Sequence, residues 1–153
     1  MIARAKFDTI KQQGVYSAMS GLKAAVQNAG FEAPLYELVK VRASQLNGCG
    51  FCIDMHTKVA RAAGETEQRL YLLSAWRETG LYNERERAAL AWTEAVTTLE
   101  HRQVPDDIYE QARASFSEQE LMTLTLAIVE INGWNRFAIA FRWQAGHYRP
   151  GMK

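Results

Sequence analysis

Both cysteines of this 153-residue chain, and one of its three histidines, fall in a single segment, Tyr36–Gly64 (YELVKVRASQLNGCGFCIDMHTKVARAAG). Cys49, Cys52 and His56 follow one another at steps of three and four residues. On a helix, at about 100° per residue, those steps hold three side chains within an arc of about 60°, so they face one site. Asn47 and Gly48 just before them are a turn signal, which puts Cys49 in the first turn of its helix. Unpaired backbone N–H groups and the helix dipole stabilise a thiolate at that position. The spacing therefore points to a reactive dithiol beside a base.

Glu37 joins the site if the helices on either side of Asn47–Gly48 form a tight antiparallel hairpin. It stands ten residues before Asn47, and His56 stands nine after. At the helical rise these distances are about 15 Å and about 13.5 Å along the two axes, so carboxylate and imidazole lie nearly level. Glu37 would then orient His56 and raise its basicity, and His56, one turn from Cys52, would accept that thiol's proton. The blander alternatives are two small apolar core cysteines, a zinc-holding CxxC and an ordinary dipole-complementing glutamate. Zinc frameworks pair CxxC with a second ligand pair, and His101 and His147 have no neighbouring cysteine or histidine. No bound metal or organic cofactor is expected.

Helices must position these residues. Alanine occurs 22 times against 15 for valine plus isoleucine, and no proline stands between Pro34 and Pro105. That balance favours helix, and no alternating strand-length run bounded by turn signals exists. Starts are marked by Pro34, by Asn83 with Glu86, by Pro105 before Asp106 and Asp107, and by Ser117 with Glu120. Gly30, Gly48, Gly64 and Gly80 stand where the periodic stretches stop. The resulting expectation is an all-α, single helical-bundle domain spanning 1–153, with about six or seven helices. They are placed near 15–29, 34–46, 49–63, 66–78, 84–99, 105–115 and 118–143, with boundaries good to about 2–4 residues.

Two apolar stripes read as core: Leu121, Leu124, Ile128 and Ile131 ending in Asn135, and Ala88, Trp92, Ala95, Val96 and Leu99. Trp76, Trp92, Trp134 and Trp143 are either an apolar pocket wall or, more ordinarily, core packing.

Eighteen Lys plus Arg against seventeen Asp plus Glu give a net charge of +1 with no block of like charge, so no nucleic-acid partner is expected. The uncharged runs Ala43–Ile53 and Leu121–Val129 fall far short of the roughly 18 apolar residues of a membrane span. The N-terminal MIARAKFDTIKQQ has no apolar core of a signal peptide, so a cytoplasmic protein with reduced thiols is expected.

Glu37, Cys49, Cys52 and His56 fit the pattern E-x11-C-x2-C-x3-H without a gap. In this the chain resembles the AhpD-like alkylhydroperoxidases of the carboxymuconolactone decarboxylase superfamily. The likeness continues through HTKVARAAGE, ERERAALAWTEAV and INGWNRFAIAFR. It implies an all-helical subunit of a homo-oligomer, trimer or hexamer, with a thiol peroxidase or disulfide reductase site. By position it makes Cys52 the thiol that attacks peroxide, Cys49 the resolving partner, and His56 with Glu37 the proton relay. AhpD proteins place a second histidine immediately before the second cysteine, where this chain has Phe51. True lactone decarboxylases of the superfamily lack the paired cysteines, so CGFC argues against that reaction.

The expected activity is reduction of a hydroperoxide by the dithiol, with an external reductant, a lipoyl-bearing or thioredoxin-like protein, restoring it. The alternatives are a disulfide reductase serving a separate peroxiredoxin, and a non-enzymatic module with a zinc-held or structural CxxC.

Overall fold

The helix signals become helices in the structure, a computed structural model that describes residues 2–5, 7–12 and 14–151. Met1, Lys6, Gln13, Met152 and Lys153, which belong to the expected 1–153 domain, lie outside the described residues. The elements are α1 (Phe7–Gln12), α2 (Val15–Asn28), α3 (Ala33–Asn47), α4 (Gly50–Ala62), α5 (Glu67–Leu72), α6 (Glu84–Thr98), α7 (Asp106–Ser115) and α8 (Glu118–Phe141). Short 3-10 segments occupy Leu73–Glu78 and Glu100–Arg102, and the described residues contain no strand.

The described residues form eight α-helices, not six or seven. The six-residue α1 precedes every start signal read in the sequence, and it is held by tertiary contact: the Phe7 ring packs on Tyr16, Trp134 and Trp143. The single helix expected at 66–78 closes after Leu72 into a 3-10 segment kinked at Ala75 (φ −117°). Gly30, Gly48 and Gly64 take the left-handed conformation of a helix terminator, whereas Gly80 does not. Leu99, expected in the α6 stripe, is instead an exposed left-handed C-cap.

Both capping boxes form. Asn83 Oδ1 accepts the Glu86 N–H while Glu86 accepts the Asn83 N–H, and Ser117 and Glu120 exchange the same pair of bonds. Bonds from Ser117, then from Arg85, hold the Glu120 carboxyl down at about 2.

Helix α3 lies at the centre, packed against α4, α6 and α8. One face puts Leu35 and Val39 against Ala89, Leu124 and Ile128. Another sends Leu38 and Val41 to Leu73, Trp76 and Leu90. A helix buried on several sides needs no single apolar stripe, and α3 instead carries buried polar groups that must find partners inside. Among the described residues no helix is long and apolar enough to cross a membrane.

Candidate active site

The α3–α4 hairpin turns on Gly48 (φ 69°), whose lack of a side chain permits the left-handed cap. Before that turn, Asn47 Nδ2 donates to Asn132 Oδ1 and Asn135 Oδ1, both at 2.8 Å, and Asn135 Nδ2 donates to Ser44 Oγ at 3.0 Å. This amide cluster ties the end of α3 to α8. The next residue after the turn is Cys49.

Cys49 is the N-cap of α4, one position earlier than expected, and its sulfur accepts the Cys52 N–H at 3.4 Å. The two sulfurs are joined as a disulfide, with Cα atoms 5.4 Å apart. Both cysteines are only 1% exposed. They sit among Ala43, Ile131, Ala138 and Trp143, with Phe51 and Trp134 beside them. Phe51 packs edge-on against Trp143 at 5.6 Å between ring centroids. Of the four tryptophans, Trp134 and Trp143 therefore join the wall around the dithiol, while Trp76 and Trp92 belong to other parts of the core.

His56 lies one turn beyond Cys52 and is buried. Its Nδ1 stands 2.8 Å from Glu37 Oε2, and since a carboxylate only accepts, the ring N–H donates. That tautomer leaves the lone pair on Nε2. The second Glu37 oxygen, Oε1, takes the Lys40 ammonium at 2.6 Å. Burial pushes the Glu37 carboxyl up, but hydrogen bonds and charge from His56 and Lys40 outweigh it, so the group ends below its ordinary value. Burial dominates His56 in the other direction: despite Glu37, the imidazole is held below its ordinary value, and Lys40 adds to the effect. Near neutrality the pair is thus a carboxylate and a neutral, oriented base.

Glu37 also lines a cavity of about 300 Å³ with Pro34, Ala60, Gly64 and Arg69, and neither cysteine is part of its lining. No group of three or more His, Cys, Asp or Glu side chains among the described residues is arranged to hold a metal ion.

Comparison with known proteins meets this geometry at the family level. The sequence model described as "Carboxymuconolactone decarboxylase family" matches residues 13–95. The chain belongs to the carboxymuconolactone decarboxylase family. It is 41% identical over 140 residues to the uncharacterized protein YdfG of Bacillus subtilis, covering 92% of this chain and 95% of that one. Among solved structures it resembles ATU0492 of Agrobacterium tumefaciens, described as a candidate antioxidant defence protein AhpD of unknown function. Here the TM-score is 0.89 at 42% identity, over 96% of this chain and 100% of the other. The debrominase Bmp8 shares the fold, with a TM-score of 0.79 at 20% identity over 90% of this chain and 74% of that protein.

The AhpD-like resemblance is therefore sound, and the four residues of its pattern lie on one helical hairpin, Glu37 bonded to His56 and Cys49 to Cys52. What sequence reasoning missed is Lys40. A cation three residues after Glu37 is a readable helical pair, but nothing local shows that both members are buried.

Proposed function

We propose that this protein is a dithiol oxidoreductase that reduces hydroperoxides. The observation that carries the reading is the Cys49–Cys52 pair one helical turn from a neutral histidine whose other nitrogen is fixed by a carboxylate. In the reduced protein, His56 Nε2 takes the proton of Cys52. The thiolate attacks one peroxide oxygen, the O–O bond breaks, and the departing alkoxide receives the proton from His56 as an alcohol. Cys52 is left as a sulfenic acid. Cys49 attacks that sulfur, water leaves, and the disulfide closes. An external dithiol, lipoyl-bearing or thioredoxin-like, then reduces it by exchange and becomes a disulfide itself.

Phe51 supports the second reading, a disulfide reductase serving a separate peroxiredoxin. Where AhpD proteins carry a histidine this chain has an aromatic ring against Trp143, so the relay rests on His56 and Glu37 alone. The family resemblance also supports a homo-oligomer, which light scattering tests.

Stopped-flow oxidation of the reduced protein by hydrogen peroxide, an alkyl hydroperoxide and a small disulfide ranks these chemistries. Hydroperoxide should be fastest, with intact mass showing loss of two alkylatable thiols. Thiols that stay fully alkylatable after peroxide would defeat the dithiol mechanism, and stoichiometric zinc in fresh protein would favour the structural module.

A further inference from the structure

Behind Glu37 the buried polar chain continues. The Lys40 ammonium bonds Glu37 Oε1 at 2.6 Å and lies 3.6 Å from the centroid of the Tyr36 ring. The Tyr36 hydroxyl donates to Glu130 Oε2 on α8 at 2.8 Å, and Trp134 Nε1 donates to Glu130 Oε1 at 2.8 Å. Lys40 and Glu130 are each only 3% exposed. A buried ammonium and a second buried carboxylate thus stand within the same cluster as the base of the dithiol.

Burying a lysine is costly, and an ordinary helix-surface ion pair would not need it. We propose that Lys40 is a positioning residue of the dithiol site, holding Glu37 ionised and setting, in opposition to Glu130, how readily His56 takes a proton. The inference rests on the reading of His56 as the base of the Cys52 thiol.

The coupling is electrostatic. Glu37 alone would pair with an imidazolium as in a simple acid–base dyad, favouring a ring protonated before it meets the thiol. Burial already disfavours the imidazolium, and Lys40 on the other oxygen opposes that attraction and adds to the effect, so the ring stays able to accept. Glu130, bonded among the described residues by the neutral donors Tyr36 and Trp134, opposes Lys40 and keeps the base from becoming too weak. Around the ring, α3 supplies Tyr36, Glu37 and Lys40, α4 supplies Cys49 and Cys52, and α8 supplies Glu130. Arg69, which lines the same cavity as Glu37, is paired with Glu65 and Glu86. The charges acting on His56 therefore reduce to the Lys40–Glu37 pair and Glu130.

The test is the titration of the His56 ring by NMR in four full-length oxidised proteins: parent, Lys40→Met, Lys40→Arg, and Lys40→Met with Glu130→Gln. Lys40→Met should raise the midpoint by about one pH unit or more, tenfold in the protonation constant. Lys40→Arg should stay with the parent, and adding Glu130→Gln should bring the Lys40→Met midpoint back down. Should Lys40→Met fail to fold, Lys40→Gln, which keeps a hydrogen bond to Glu37 without the charge, carries the same expectation. In the reduced proteins the acid limb of thiol oxidation should move with the ring. Ring titrations that superimpose in all variants would overturn the inference and leave the thiol chemistry standing. A parent that oxidises with neither peroxide nor disulfide would remove the proposed function while the ring shifts remained.

Discussion

The Nδ1–H of His56 reaches Glu37 Oε2 at 2.8 Å across the α3–α4 hairpin, a contact between residues nineteen positions apart. It exists because Gly48 reverses the chain tightly enough to leave the two helices level. The carboxylate then fixes which ring nitrogen carries the proton and leaves the lone pair on Nε2.

Replacing Glu37 with Gln should slow thiol oxidation near neutrality, with the deficit shrinking as pH rises. Glutamine can still bond the ring but cannot stabilise the imidazolium formed when His56 takes the thiol proton. A free thiol of pKa about 8.5 is only a few per cent ionised at pH 7, so the loss there should be on the order of tenfold. His56→Ala should behave similarly, and the double variant should be little worse, because the two act as a unit. Rates against pH for all four proteins check this; parallel profiles would make Glu37 a structural residue.

The two cysteines should separate by role. Cys49→Ser should react once with peroxide and accumulate a trappable sulfenic acid on Cys52, whereas Cys52→Ser should lose the fast phase. His56 stands a turn from Cys52, while the Cys49 sulfur is occupied as the cap of α4, accepting the Cys52 N–H. Mass spectrometry of the trapped adduct decides it, and an adduct on Cys49 in the Cys52→Ser protein would reverse the assignment.

The hairpin and its four chemical residues were legible because their geometry follows from helical rise and one glycine turn. The capping boxes and the α8 stripe were equally local. What could not be read depends on the placement of distant helices. α1 forms because Phe7 finds Trp134 and Trp143, residues more than a hundred positions away. Glu130 belongs with Tyr36 only once α8 lies against α3. The same holds for Asn135, which ends an apolar stripe in the sequence and meets Asn47 and Ser44 only in the fold.

Asn135→Ala should therefore destabilise the protein by on the order of 3 kcal/mol, combining a cavity with lost partners for Asn47 and Ser44. The end of α3 would lose part of its anchor just before Cys49, so the disulfide should also reduce at a changed rate. Urea unfolding of oxidised and reduced protein measures the first effect and dithiothreitol kinetics the second. A change within about 0.5 kcal/mol, as for an ordinary surface site, would mean that the amide cluster does not hold the turn.

Acid should destabilise the protein in two stages. The His56 ring is held below its ordinary value of 6.5, so as pH falls below that value the unfolded chain binds a proton that the folded one resists. Stability should decline from there, with a slope of at most about 1.4 kcal/mol per pH unit for one proton. Glu37 is likewise depressed, from 4.5, so its contribution is complete above that pH and is lost as pH falls through the lower folded value. Both groups act in the same direction, and neither stage predicts a loss between pH 7 and 8. The His56→Gln protein should lack the upper stage and keep much of the lower, because Lys40 still holds Glu37 ionised. Unfolding free energies between pH 8 and 4 test the order of events. If the parent is as stable at pH 5 as at pH 7, the folded ring accepts a proton as readily as the unfolded one, and a neutral, buried base at position 56 is not what the protein contains.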